Sequence, residues 1–456
     1  MPIDRSRPPP LGPDPAFVFP AIGKERREHG LRVWTVSHRA VPLTTLLLLI
    51  PVGAAADAPD RPGLAALTAD LLDEGAGRRD AMELHEALGR IGGRLDTEVG
   101  ADATTLTVTV LSRHVERALE LLADLVLRPR LEPTEFDRVR ERRSNRLLQL
   151  KDLPSVIADR AFLRLVYPAH PYGHLAVGTV EAIRSATLDE LVAFHRRAYR
   201  LDRATLIIVT VRDPAALQKT AGDQLGIPTV GDPGEVVDAA HAPAPARPAR
   251  HLALIHRAGA AQAELRIGQV ATSGHSPDLH PLLVLNMALG GQFVSRLNLN
   301  LRERKGYTYG VRSSFDFRRG RGPFMVQTGV QTEATADAIA ATLAEIRDIR
   351  DDRPVTGEEI ETARHALTRG YPRSFETAGQ VARACAQLAL YELPDDFFSQ
   401  FVPRVSAVGI EAVTDVARRY LEPQAMLTVI VGDRDKVQPT LDTAGLGVAV
   451  ELEPEF

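Results

Sequence analysis

The sequence predicts an α+β protein with two homologous domains, each a mostly antiparallel sheet packed with helices. Three observations support this class of fold. The chain repeats one pattern at long range, its strand signals alternate in blocks with long helices, and its 456 residues exceed one ordinary core. Strict βαβ alternation and the glycine-rich phosphate loops of nucleotide-binding folds are absent from the sequence.

Residues 185–211 and 406–432 carry the repeat. At an offset of 221, identical residues recur in the two stretches, for example Tyr199 and Tyr420. Each stretch predicts an amphipathic helix, a short turn and a buried strand. A repeat this long is typical of two homologous domains and excludes a solenoid of short units.

The domain boundaries follow from this repeat and from a change in composition between its copies. Residues 231–251 are rich in Pro, Ala and Gly without a hydrophobic period, which predicts an extended linker. The first domain is therefore placed at residues 16–230 and the second at residues 252–450. Strand signals in the two domains are LRVWTV, TTLLLLIPVG and TTLTVTVL, then LALIHRAG, AELRIGQVAT and FMVQTGVQ.

The overall composition is that of a soluble globular protein, with 44% hydrophobic and 25% charged residues. The formal net charge of −4 gives no reason to expect nucleic acid or an anionic membrane as a partner. The N-terminal stretch MPIDRSRPPPLGPDP lacks the apolar core of a signal peptide, and the longest apolar run is too short to span a membrane. We therefore expect a cytoplasmic protein.

Cysteine and histidine residues give little indication of a reactive site. The single cysteine, Cys385, excludes a disulfide framework and a multi-cysteine metal site, and is expected on the apolar face of a helix. His170 and His174 are four residues apart, but the intervening Pro and Gly break the helix that would align them, so a structural or surface role is expected. His195 is expected at the boundary of a helix.

The stretch GLAALTADLLDEG predicts a helix over residues 63–75. Asp60 is a candidate N-cap, Pro62 a first-turn proline and Gly75 a helix stop. Leucines at helical spacing give the helix one apolar face, and Asp70 is its only reactive side chain before the end.

Three segments, at residues 30–72, 170–179 and 289–311, together give the chain a family resemblance. They read GLRVWTVSHRAVPLTTLLLLIPVGAAADAPDRPGLAALTADLL, HPYGHLAVGT and LGGQFVSRLNLNLRERKGYTYGV. In this order, and with the repeat, they resemble the pitrilysin and mitochondrial-processing-peptidase family of zinc peptidases. The resemblance covers nearly the whole chain and implies that the two domains form a half-clamshell.

Active members of that family carry His-x-x-Glu-His on the corresponding helix, where two imidazoles on one face bind zinc and the glutamate acts as general base. In this chain the motif falls on Ala66, Ala69 and Asp70, so both imidazoles and the base are missing. The further glutamate ligand should fall near residues 145–147, which read Asn-Arg-Leu. We therefore expect no zinc or other cofactor in this chain.

The second domain keeps a different family feature. In LRERKGYTY, Arg302 and Tyr309 have the spacing of an Arg and a Tyr that related members use across the internal chamber. The resemblance implies that this pair holds peptide carbonyl groups and stabilises the oxyanion of the tetrahedral intermediate. A guanidinium and a phenol are suitable donors for that purpose.

Other interpretations of this segment stay open. Arg302 could form a surface salt bridge with Glu303 or with a residue like Glu411, and Tyr309 could cap the core. Tyr307 competes with Tyr309 for the transferred role. The preceding Gly290 and Gly291 are expected to form a tight turn before a helix over residues 293–301, and a direct substrate role for them is a weaker alternative.

The family includes bacterial peptidases built from two different subunits, one with the zinc motif and one with the Arg/Tyr pair. The resemblance implies that this chain is the second type: no peptidase alone, but part of a heterodimer with an HxxEH-containing homologue that holds the zinc. Its substrates would be short or unfolded peptides. Two other hypotheses are a catalytically inert structural or assembly protein and a peptide-binding chaperone of the same fold.

Overall fold

The computed structural model describes residues 17–226, 238–243 and 251–455, which form two six-stranded sheets surrounded by helices. Strands of the first half of the chain are β1 (Ile22–Arg26), β2 (Arg32–Ser37), β3 (Leu43–Ile50), β4 (Gly75–Ala76), β5 (Arg79–Asp80), β6 (Arg94–Val99), β7 (Thr104–Leu111) and β8 (Thr205–Thr210). Its helices are α1 (Leu64–Leu71), α2 (Ala81–Arg90), α3 (Val115–Leu127), α4 (Pro133–Leu150), α5 (Pro154–Val166), α6 (Val180–Ser185), α7 (Leu188–Ala198) and α8 (Pro214–Leu225).

The second half repeats this alternation. Its strands are β9 (His251–His256), β10 (Gln262–Val270), β11 (Arg312–Phe315), β12 (Pro323–Gln331), β13 (Leu427–Gly432) and β14 (Val450–Glu451). Its α-helices are α9 (Leu279–Asn286), α10 (Thr335–Arg350), α11 (Gly357–Thr368), α12 (Ala378–Leu390), α13 (Phe397–Ser406), α14 (Ile410–Tyr420) and α15 (Arg434–Thr443). Two π-helical segments lie at Met287–Gly291 and Asn298–Arg304.

The two sheets share one strand order. The first sheet runs β1-β2-β8-β3-β7-β6, and the second runs β14-β9-β13-β10-β12-β11. Only the β2–β8 pair of the first sheet is parallel, whereas in the second sheet β9 pairs in parallel with both β13 and β14. The α+β class with mostly antiparallel sheets is therefore confirmed. The domain boundaries at 16–230 and 252–450 stay a prediction.

The predicted linker at 231–251 falls mostly outside the described residues. Its described part at 238–243 forms a turn, in which Asp238 pairs with Arg319 at 3.1 Å. The last predicted linker residue, His251, already belongs to β9, where it pairs with Leu427 of β13.

The repeat is present in the structure, but at an offset of 222 instead of 221. Helix α7 and strand β8 correspond to α14 and β13, whose first and last residues all lie 222 positions later. Burial agrees with the new offset, because Leu191 and Phe194 on α7 match the buried Val413 and Val416 on α14. Identity along the sequence favoured 221, but some of its matches pair buried residues one position out of step, such as Leu206, second in β8, with Leu427, first in β13.

Both faces of the first sheet are apolar along β3. Leu46 and Leu48 face the core formed with α1, α3 and α7, whereas Leu47 and Leu49 face the opposite side. A strand buried on both faces explains why this segment reads as a continuous run of leucines. Something outside the first half must therefore cover its second face.

The two halves cover each other's sheets by exchanging one helix each. Helix α12 from the second half packs on β3 and β8, and α5 from the first half packs on β13 and β10. The Phe162 ring of α5 lies over Gly268 of β10, with its Cζ 2.9 Å from where a glycine Cβ would stand. Cys385 of α12 belongs to the buried cluster that includes Leu47, on the face of the first sheet that α12 covers. No helix in the described ranges is long and apolar enough to cross a membrane.

We predict that Phe162→Ala weakens the attachment of the two halves. The ring is fully buried, so its loss should cost about 3–5 kcal/mol of unfolding free energy through lost burial and a residual cavity. Denaturant unfolding followed by circular dichroism measures the shift in midpoint. Met82→Ala is the control, because that side chain is 73% exposed and its loss should change the free energy by less than about 0.5 kcal/mol. Equal midpoints for the two variants would contradict the role of α5.

Candidate functional site

A buried carboxylate fixes the start of α1, the helix at the family's zinc position. Asp57 accepts hydrogen bonds from the backbone N–H groups of Gly63 and Ala65, each at 2.7 Å. His174 Nε2 lies 3.2 Å from the same carboxylate, which gives this histidine the structural role expected for it. The expectation that Asp60 caps the helix is wrong, because the turn before Gly63 brings Asp57 to the free amides instead.

Helix α1 is also shorter and more deeply buried than predicted. It ends at Leu71, and Gly75 lies in the short strand β4 instead of stopping a helix. Buried residues occupy almost its whole circumference, including the motif positions Ala66 and Ala69. The prediction gave this helix one apolar face, whereas the structure buries it nearly all round. Asp70 is half-buried and lines a cavity.

Two glycines bring a loop across the start of α1. Gly63 and Gly178 both have positive φ, at +97° and +82°. A Cβ on Gly63 would lie 2.6 Å from the Cα of Gly178, so only glycine permits this approach. The crossing places Ala176 and Val177 in the wall of the same cavity.

An ion pair occupies the position where zinc chemistry would require ligands. Asp70 Oδ2 accepts a hydrogen bond from Arg143 Nε of α4 at 2.9 Å, and Arg143 Nη2 lies 2.8 Å from the same oxygen. The Arg143 side chain is only 10% exposed and also donates to Val177 O at 3.3 Å. Two methyl groups and one carboxylate bound by a guanidinium do not fit zinc, which needs about three protein ligands.

Helix α4 brings arginines, and no acid, to this cavity. Arg142, Arg143 and Arg146 line it, together with Asn145, whereas Leu147 is buried in the core. The residue that meets α1 is Arg143, two positions before the expected 145–147, and sequence reasoning did not identify it. The available signal was the absence of any acid between residues 142 and 151.

The second candidate site begins with irregular helix. Gly290 and Gly291 lie in the π-helical segment that continues α9, so the expected tight turn is wrong at these residues. A Cβ on Gly290 would lie 2.5 Å from Ser313 Oγ of β11, and one on Gly291 would lie 2.7 Å from Asn286 Nδ2. Gly290 therefore allows the helix and the edge strand β11 to pack closely, whereas Gly291 avoids a clash with Asn286 of α9. The next helical residue is Arg296, three positions later than the predicted start at residue 293.

Arg302 lies in the second π-helical segment with much of its hydrogen-bonding capacity unused. Its guanidinium carbon stacks 3.8 Å from the centroid of the Phe293 ring, and Nη1 lies 3.2 Å from Glu303 Oε1. That Nη1 atom is buried and makes no hydrogen bond of acceptable geometry within the described part of the chain. The contact with Glu303 is therefore an ion pair without a hydrogen bond. π-Helical turns are frequent at functional sites.

Tyr307 and Tyr309 have different environments. The helix ends at Gly306, with φ +65°, and the following Tyr307 N–H donates to Leu301 O at 2.9 Å. Tyr307 then donates its hydroxyl to Asp337 Oδ2 at 3.2 Å, and partial burial beside that carboxylate raises the pKa of the phenol. Tyr309 is 92% exposed and has no hydrogen-bond partner among the described residues. Of the two phenols, only that of Tyr309 is free for a ligand.

The structure does not bring the two candidate sites together. Ala66, Ala69 and Asp70 line a cavity of about 720 Å³ between α1, α4 and β6. Tyr309 and Phe293, the ring under Arg302, line a separate cavity of about 710 Å³ beside β11. The geometry of this single chain therefore leaves the Arg/Tyr pair without a metal site of its own.

His195 and His170 have structural environments. His195 contacts Val126 O at 3.0 Å and stacks on Tyr199, and burial lowers its pKa to about 4. His170 accepts a hydrogen bond from Tyr172 N–H at 3.1 Å, and burial lowers its pKa as well. Across residues 17–226, 238–243 and 251–455, no group of three or more His, Cys, Asp or Glu residues could hold a metal ion.

The sequence and fold match one family of peptidases. The model "Insulinase (Peptidase family M16)" matches residues 32–172, and the model "Peptidase M16 inactive domain" matches residues 185–367. Together the matches span more than half of the chain. The chain belongs to the peptidase M16 family.

Relatives of known sequence or structure extend over nearly the whole chain. An uncharacterized zinc protease of Bacillus subtilis, YmxG, is 23% identical over 407 residues, which cover 88% of this chain and 96% of that protein. A peptidase M16 inactive domain from Pseudomonas fluorescens superposes with a TM-score of 0.83 at 23% identity, covering 91% of this chain and 98% of that chain. A protease from Helicobacter pylori gives a TM-score of 0.84 at 18% identity, with 90% and 99% covered. Both structural similarities establish the fold.

We predict that the purified chain holds no stoichiometric zinc. The Asp70–Arg143 ion pair and the flanking alanines leave a donor set too small for tight binding. Elemental analysis after dialysis against zinc and then against buffer measures the zinc content. About one tightly bound zinc per chain would contradict this interpretation of the cavity.

We predict that Cys385 is unreactive in the folded protein. The thiol is fully buried in the core between α12 and the first sheet, and burial raises its pKa to about 12. At pH 8 it therefore stays protonated, and the thiolate needed for alkylation is scarce. Mass spectrometry after iodoacetamide treatment should show an unmodified native chain and a modified chain in denaturant. Rapid labelling of the native chain would refute this prediction.

Proposed function

We propose that this chain is the non-catalytic subunit of a heterodimeric zinc peptidase. In this proposal its partner is a homologous chain with an intact HxxEH motif, and the complex is cytoplasmic. The match to an inactive-domain model fits a partnership with an active M16 subunit. The observation that carries the proposal is a contrast: the zinc position holds the Asp70–Arg143 ion pair, whereas the phenol of Tyr309 is free.

The chain alone lacks the groups for peptide hydrolysis by the family's chemistry. No imidazole and no glutamate stand at Ala66, Ala69 or Asp70, so nothing there activates a water molecule. Zinc held by the partner would supply that activation. The contribution of this chain would then be limited to binding and orienting a peptide and stabilising charge.

Arg302 and Tyr309 are suited to that contribution. The Arg302 side chain is 29% exposed, so its guanidinium can donate to a peptide carbonyl oxygen or to the oxyanion that develops from it. Stacking on Phe293 limits the orientations of the Arg302 side chain before substrate binds. Tyr309 supplies one further hydroxyl donor from an exposed loop. Its substrates would be short or unfolded peptides able to enter a chamber between the subunits.

One observation favours the alternative of a catalytically inert structural or assembly protein. Arg302 already contacts Glu303 and Phe293 within its own segment, as a residue with a local structural role would. A peptide-binding chaperone of the same fold would use the free donors without hydrolysis. The experiment below separates these functions.

We predict that co-expression with an HxxEH homologue from the same organism yields a 1:1 complex with chelator-sensitive peptidase activity. In that complex, Arg302→Gln and Tyr309→Phe should each lower kcat for a quenched fluorescent peptide by about 10²–10³-fold, the usual effect of losing one oxyanion donor. Size-exclusion chromatography should show that both variants still assemble.

Two neighbouring residues provide matched controls. Arg304→Gln removes an exposed guanidinium from the same segment, and Tyr307→Phe removes the hydroxyl bound to Asp337. Both should change kcat by no more than about twofold, as ordinary surface substitutions do. Unchanged kcat in the Arg302 and Tyr309 variants would support an inert scaffold, and failure to form any complex would refute the heterodimer.

A further inference from the structure

The cavity at the degenerate zinc position carries an excess of positive charge. Arg142, Arg143 and Arg146 of α4 line it, and Asp70 is the acidic side chain that faces them. Asp70 is committed to Arg143 through two short contacts. The cavity therefore keeps more cationic than anionic charge in its walls.

The free capacity lies mainly with Arg146. Arg142 lies 3.2 Å from Glu74 and also interacts with the charge of Asp73, so it is partly neutralised. Arg146 has no acidic partner among the residues that the structure describes. Arg142 and Arg146 stand one helical turn apart on the same face of α4, where like charges repel each other. An anion between them would relieve this repulsion.

The shape of the cavity suits part of an extended chain. Its volume of about 720 Å³ lies within the range of ligand pockets. Thr97 and Val99 of β6 form one wall, and β6 is the last strand of the first sheet. The outer side of an edge strand offers unpaired N–H and C=O groups to which a peptide can add as a further strand.

We infer that this cavity binds a peptide carboxylate, using Arg146 and Arg142 as its ligands. Guanidinium groups bind carboxylates through charge-assisted and often bidentate hydrogen bonds. The carboxylate can come from an Asp or Glu side chain or from the C-terminus of the peptide. The degenerate zinc position then has a binding activity of its own, one that selects acidic peptides. This inference concerns the isolated chain and does not depend on the proposed heterodimer.

Calorimetric titration of the full chain with blocked heptapeptides tests it. The probes are Ac-Thr-Val-Ala-Glu-Ala-Val-Thr-NH₂, the same peptide with Gln in place of Glu, and the Gln peptide with a free C-terminal carboxylate. At low salt, at least one carboxylate-bearing peptide should bind about tenfold more tightly than the neutral one. The peptide that binds more tightly shows whether the carboxylate comes from a side chain or from the C-terminus. Added KCl should reduce this gain in affinity.

Three variants of cavity residues test whether the gain in affinity arises in the cavity. Arg146→Gln should remove most of the preference for the carboxylate, and Arg146→Lys should retain part of it. Arg90→Gln is the matched control, because this arginine lies on α2 with an exposed side chain paired to Glu86. It should leave every Kd unchanged. Thermal unfolding checks that each variant is folded, and Arg142→Gln provides an independent variant.

Three results would overturn the inference. They are equal affinity for charged and neutral peptides up to millimolar concentration, a carboxylate preference that survives both Arg146→Gln and Arg142→Gln, and Arg146-dependent binding of inorganic phosphate with no peptide preference. The assay contains no partner subunit and no zinc. A negative result in this assay would therefore not contradict the proposed role of Arg302 and Tyr309. Conversely, unchanged kcat in the Arg302 and Tyr309 variants would not contradict carboxylate binding in this cavity.

Discussion

The exchange of α5 and α12 between the two halves is the constraint on which the rest of the structure depends. Each sheet is apolar on both faces, and its own helices cover only one. Phe162 and Cys385, both fully buried, mark where the borrowed helix covers the other. The buried Arg266 of β10 adds an ion pair with the partly exposed Asp159 of α5 at 2.5 Å, which links the helix to the sheet. The two halves must therefore fold as one unit, since separation would expose a leucine-rich face.

The helix at the family's zinc position is held firmly but lacks the chemistry of a zinc site. Asp57 fixes the start of α1, and Gly63 and Gly178 bring a loop across it. Beside them, Arg143 binds Asp70 where a metal would need anionic or neutral donors. A guanidinium so close to the site would repel a dication, so the change is more than the loss of ligands. The cavity has the opposite electrostatic preference to a metal site.

The second half shows how local backbone can make side chains available. Two π-helical segments and the left-handed Gly306 precede Tyr309, whose phenol lies in solvent. Tyr307, two residues earlier, is tied to Asp337. The irregular backbone thus separates one structural tyrosine from one that is free. Both candidate sites lie beside an edge strand, β6 in one half and β11 in the other, as the shared topology requires.

The sequence by itself determined the fold class, the family and the absence of the zinc motif at Ala66, Ala69 and Asp70. These depend on composition, on local periodicity and on residue identity, which a linear chain displays directly. Strands such as LALIHRAG and FMVQTGVQ could be located because their apolar residues face buried layers. The two-residue β14 escaped prediction because so short a pairing leaves no pattern.

Only the tertiary structure decided which residues meet. Asp57 instead of Asp60 caps α1, and Arg143 instead of residues 145–147 meets Asp70, because both contacts depend on how turns and helices pack in space. The offset of the repeat shifted from 221 to 222 because the bounds of the helices and strands align at 222. Long-range contacts of this kind have no period along the chain. The arginine cavity became visible only when α1, α4 and β6 stood side by side.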